Sequence, residues 1–199
     1  MRPLCRETSD YAQKAADVAR MIGDFRCQLF AECMIAEVTR FLGDVPRAVT
    51  LNEACLAFAR DRLPPMDIWL PSLQLSKALN DAGESSRALA VVEVWMKLFY
   101  RTRGLKAYHF TYGPTFDALA CVASGNGDAT RAAPLFGAAD EMLVVTGDQR
   151  VLHNDWEYAP YREKARAALG SAAFEVTLAE GRAMTPEQGV RFAMDNTRE

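Results

Sequence analysis

The chain has 199 residues, half of them apolar and a quarter charged, enough to bury a real core in one large domain or one stack of repeats. Its 23 Lys and Arg stand against 26 Asp and Glu, and a net charge of −3 leaves no electrostatic footprint for direct nucleic-acid binding. No apolar run approaches the roughly 20 residues that span a bilayer, and "MRPLCRETSD" lacks the apolar core of a signal peptide.

Those bounds predict a cytoplasmic protein with no membrane partner. The five cysteines (Cys5, Cys27, Cys33, Cys55, Cys121) make an odd count without framework spacing. Four of them fall in apolar helical stretches, where free, buried thiols are expected, as suits a reducing compartment.

In chain order, "YAQKAADVARMIGD" (11–24) reads as the closing helix of a helix pair, ending at Gly23, with no partner helix before it. Residues 1–24 are therefore expected to be a half repeat, in a chain cut or descended from something longer. Its uncovered apolar surface predicts a homo-oligomer formed through this end. The next segments share one word: "GDVPRAV" at 43–49, "GESSRAL" at 83–89 and "GDATRAA" at 127–133. Each glycine follows an amphipathic run, where a helix stops in the left-handed conformation that glycine adopts without steric cost. The acid after it sits beside the free N–H groups of the next helix. Arg47, Arg87 and Arg131 lie three residues on, placed to pair with that acid across the first turn. Ala48, Ala88 and Ala132 then supply small side chains for close helix contact. The arginines are spaced by 40 and 44 residues, the period of a two-helix repeat.

Apolar periodicity around the joints predicts helices at 26–42 and 45–61, at 67–82 and 85–102, and at 107–124 and 129–146, with no strand pattern. Pro64-Pro65 marks a break between units. Repeats are expected at 25–63, 64–104 and 105–147. Residues 148–199 then close the end with a helix from Asn154 or Asp155 to Gly170, a short helix near 172–181, and the capping box of "TPEQ", Thr185 to Gln188. The expected fold is all-α: a right-handed α-solenoid of tetratricopeptide-like helix pairs with a C-terminal capping group.

The turn words, with "LACVASGNGDATRAAPLFGAADEM" (119–142) and "YREKARAALGSAAFEVTLAEGRAMTPEQGVRFAM" (161–194), resemble the C-terminal tetratricopeptide-like region of large bacterial signal-transduction ATPases. In those regulators the N-terminal half carries a nucleotide-binding module with a DNA-binding or adenylate-cyclase-like domain. The resemblance is specific over about the last 80 residues and looser upstream. It implies the sensor and interaction arm of that architecture, an arm that receives a partner protein or a small effector. The ATPase portion of a longer regulator is a further implied partner. The chain has no G-x-x-x-x-G-K-[ST] loop, so no ATP site is carried over.

Reactive constellations are poor. His109 and His153 have no ligand at i, i+4 spacing, and Cys27 and Cys33 face different sides of a helix, so no metal is expected. Cys121 and His109 on one helix would stand about 18 Å apart, too far for a nucleophile pair. No cofactor and no catalytic residue is expected. The stretch "FYRTRGLKAYHFTYG" (99–113) gathers aromatics with Arg101, Arg103, Tyr108 and Tyr112 at a joint. It reads either as a cationic, aromatic-lined pocket or as an aromatic wedge whose basic residues cap a helix C-terminus. Trp69 in "PPMDIWLP" has the same two readings.

Counting back from each joint, the third residue before the glycine is Arg40, Asn80 or Ser124, and the sixth is Glu37, Lys77 or Cys121. In a stack of pairs these rows would line the concave wall, which makes Glu37, Arg40, Lys77 and Asn80 the candidate partner contacts. The expected function is a non-enzymatic module that binds a protein or peptide partner on that wall, within a bacterial signalling or transcription regulator. The alternative is a sensor that takes an anionic or aromatic effector near 99–113.

Overall fold

The structure, a computed structural model, describes the backbone of residues 2–103, 109–146 and 152–195, and side chains at 6–98, 113–145 and 157–194. Among the described residues it is all-helical, with ten α-helices, one short 3₁₀ turn and no strand. The expected all-α class is therefore correct. Two compact units divide the chain, residues 1–84 and 85–199, and the cut falls at the joint carrying Gly83 and Glu84.

The first unit holds α1 (Arg2–Ile22), α2 (Phe25–Phe41), α3 (Val45–Arg62), the 3₁₀ turn Pro65–Ile68 and α4 (Trp69–Asp81). The helices pack in sequence, α1 on α2, α2 on α3 and α3 on α4, and α2 also meets α4. So α2 lies in the groove between α3 and α4. The contact faces are made of small residues: Ala12, Ala16 and Ala19 on α1, Ala36 on α2, Ala48 and Ala59 on α3, Ala78 on α4. Short side chains let the rods approach, and Leu29, Leu56, Leu73, Leu75 and Leu79 fill the space left. Helix α1 begins well before the expected Tyr11, at Arg2.

The second unit holds α5 (Ser85–Arg103), α6 (His109–Gly125), α7 (Ala129–Thr146), α8 (Leu152–Leu169), α9 (Ser171–Arg182) and α10 (Pro186–Asp195). Its core is aromatic: Trp95, Phe116, Phe136 and Phe174 are fully buried. The Trp95 Nε1 donates to Thr115 Oγ1 at 3.4 Å and ties α5 to α6. Helices α7 and α9 cross with their backbones in contact. A Cβ at Gly137 would overlap the Leu178 carbonyl, and one at Gly181 would overlap the Pro134 carbonyl. That crossing admits glycine alone at both points.

The joints are built from the repeated word. Gly43, Gly83 and Gly127 have φ of 92°, 80° and 81°. Around Gly43, its N–H reaches the Arg40 carbonyl at 2.9 Å and the Asp44 N–H reaches the Thr39 carbonyl at 3.2 Å, the paired bonds of a Schellman stop. The acid then caps the next helix: Asp44 accepts from the Arg47 N–H at 3.3 Å and Asp128 from the Arg131 N–H at 3.0 Å. Gly23-Asp24 is another such joint, with Asp24 accepting from the Cys27 N–H at 3.0 Å. Ala48, Ala88 and Ala132 are fully buried. One expectation is corrected at Arg131. Its guanidinium donates to the Ala193 carbonyl of α10 at 3.0 Å, while its backbone N–H takes the cap from Asp128. The capping box at 185–188 is present in both directions, Thr185 N–H to Gln188 Oε1 at 2.8 Å and Gln188 N–H to Thr185 Oγ1 at 3.2 Å.

Cys33, Cys55 and Cys121 are buried free thiols, but Cys27 is exposed, contrary to the expectation from its apolar surroundings. The hydrogen bond shared with Cys55 and burial together push the Cys33 thiol far up, which makes it unreactive.

Candidate interaction surface

Four of the candidate partner contacts come together inside the first unit. Glu37 is on α2, one turn before Arg40, and Lys77 and Asn80 are on the facing side of α4. Arg40 grips both oxygens of Glu37, Nη2 to Oε1 at 3.2 Å and Nε to Oε2 at 3.3 Å, and its Nη1 donates to Asp81 at 2.8 Å. Lys77 Nζ donates to Glu37 Oε1 at 3.5 Å. The Gln74 amide nitrogen, in the orientation that satisfies both of its ends, also donates to Glu37. The Arg40 guanidinium stacks on the Phe41 ring, 4.5 Å from its centre.

This is a buried ionic knot between α2 and α4. Glu37, Arg40 and Asn80 are all buried, and the Lys77 side chain is only 14% exposed. Burial alone pushes the Glu37 carboxyl up, yet the Lys77 ammonium and the Arg40 guanidinium, with their hydrogen bonds, outweigh it and hold the group below its ordinary 4.5. A carboxylate with two cations and an amide on it has no lone pair to spare for a visitor. The same rows are covered in the second unit, where Cys121 is buried and Ser124 Oγ donates to the Tyr161 carbonyl of α8 at 2.7 Å. Of these polar rows, Glu37, Arg40, Lys77 and Ser124 make contacts from one helix to another.

Arg101, Arg103, Tyr108 and Tyr112, with both histidines, lie outside the residues whose side chains are described. Trp69 is half-buried at the start of α4, where with Leu70, Arg26 and Phe30 it lines a small cleft of about 150 Å³. Arg26 Nε donates to Asp67 at 3.1 Å and fixes the 3₁₀ turn to α2.

The open surface lies elsewhere. Between α1 and α2 runs an apolar groove of about 590 Å³, walled by Tyr11, Ala12 and Ala15 on one side and Cys27, Phe30 and Ala31 on the other. Tyr11 of α1 and Phe30 of α2 are exposed in it, and Val18 and Ile22 are exposed further along α1. The reason is in the spacing. Ala12, Ala16 and Ala19 face α2, while Thr8, Tyr11, Ala15, Val18 and Ile22, spaced by three and four, form a second apolar row about a quarter-turn away. One helix thus presents two apolar faces and α2 covers one of them. Lys14 lies over the Tyr11 ring at 5.5 Å and edges the row. The row was visible in the sequence as the i, i+3, i+4 spacing of residues 8–22. Phe30 was not, since nothing local distinguishes an exposed phenylalanine from a core one.

Among the described residues no three His, Cys, Asp or Glu side chains gather where a metal ion could be held. No described helix is long and apolar enough to cross a membrane. No protein-family model, curated protein or solved structure matches the chain.

Proposed function

We propose that this chain is a non-enzymatic interaction module, a right-handed α-solenoid of tetratricopeptide-like helix pairs that receives an apolar-faced helix from a protein partner. The single observation that carries the reading is the groove between α1 and α2, apolar along its length and edged by exposed Tyr11 and Phe30. Soluble domains seldom leave such a strip open unless something covers it, and the spacing of its anchors suits the i, i+3, i+4, i+7 face of an amphipathic helix. The sequential packing of α1 to α4, with α2 seated between α3 and α4, supports the solenoid part of the proposal. A place in a cytoplasmic signalling or transcription regulator rests on the resemblance of residues 119–142 and 161–194 to the arms of bacterial ATPase regulators. The ionic knot at Glu37 serves this function as scaffold, by fixing α2 against α4.

The test is direct binding of a fluorescent, uncharged amphipathic helical peptide with leucines at i, i+3, i+4 and i+7. Its anisotropy rises with the full chain in dilute solution and the rise is lost in Phe30→Asp. Equal binding by Phe30→Asp, or none by the wild type, contradicts the reading.

A further inference from the structure

The structure itself contains a template for what fills the groove. Helix α2 is clasped by α3 and α4, and the same α2, together with α1, forms the next such clasp, which is left empty within the first unit. The missing body is one helix. We infer that it is the α1 helix of a second copy of this chain, so that two copies pair through their first helices, antiparallel, about a two-fold axis. This rests on the reading of the groove as a helix seat and names its occupant.

Three features select a second copy. First, the exposed row lies on α1 itself, so one surface is both ridge and groove, as a two-fold contact requires. Second, the row alternates in size. With the axis level with residue 13, the Tyr11 ring of each copy stands over Ala15 of the other, and Val18 over Thr8, so large meets small at these four positions. Third, the area is of the order a dimer needs. Tyr11, Val18, Ile22 and Phe30 are 71%, 56%, 71% and 57% exposed. At about 200 Å² for a large side chain they offer roughly 500 Å² of apolar surface. The small residues between them add more, toward the about 800 Å² per partner of a stable interface. Of the charged side chains at the edge of the row, Glu7 and Lys14 are of opposite sign, and Arg26 in the groove is paired with Asp67.

Sedimentation velocity on the full chain, from low to high micromolar, tests the inference. The wild type should pass from 22.0 kDa to twice that mass, and Val18→Asp should weaken the association by about tenfold or more. Both chains should melt at the same temperature when dilute, because Val18 is exposed in the single copy. A wild type that stays at 22.0 kDa throughout, or a Val18→Asp chain that pairs as readily, overturns it. If the wild type stays single but still binds the helical peptide, the helix seat stands and the second copy is removed as its occupant. If it neither pairs nor binds, both fall.

Discussion

Glu37 shows how little a residue's polarity says about its exposure. The carboxylate is buried at the centre of a knot with Arg40, Lys77 and Gln74, and each partner is present because the others are. Removing one member strands the rest. Glu37→Ala is expected to cost about 3 kcal/mol or more in urea unfolding, whereas Lys77→Met added to Glu37→Met should cost less than the sum of the two singles. The sign with pH follows from the depressed carboxyl. Its stabilisation is complete above the ordinary 4.5 and is lost as pH falls through the lower folded value. The wild type should therefore lose stability below that pH more steeply than Glu37→Gln. Equal slopes would contradict the knot. From sequence, the rows at Glu37 and Arg40 read as an open groove wall because charge marks the outside of a helix by default. The cross-helix pairing that overrides this, between residues 40 and 41 positions apart, is invisible to local spacing.

At the scale of elements the joints were legible and the crossings were not. Gly-acid-x-x-Arg-Ala encodes a stop, a cap and a contact within six residues, so the expected helix starts at 45, 85 and 129 agree with Val45, Ser85 and Ala129. Asp128→Ala should cost about 1 kcal/mol, through loss of the cap on the Arg131 N–H. The contact of α7 with α9 depends instead on Gly137 and Gly181, 44 residues apart, and neither stands in a repeated word. Gly181→Ala must push its Cβ into the Pro134 carbonyl, and the expected loss is about 3 kcal/mol, read from thermal or urea unfolding. A neutral Gly181→Ala would mean that the two backbones do not meet. Helix α1 shows the reverse case. Its second apolar row was readable at residues 8–22, and so was the expectation of surface left uncovered, but which residues of α2 form the opposite wall depended on the tertiary fold.

For the whole molecule, the sequence sufficed for the all-helical class and for the number and limits of most helices, because caps and periodicity are local. The candidate contacts Glu37, Arg40 and Asn80 are buried and an open apolar strip lies between α1 and α2, since burial is decided by which helices become neighbours. That strip is the proposed seat of a helix. Amide hydrogen exchange on the full chain, dilute, with and without the amphipathic peptide in excess, measures it most directly. Slowed exchange confined to α1 and α2 is the result expected. Protection that appears on α6 to α8 instead, or on no helix at all, would contradict it.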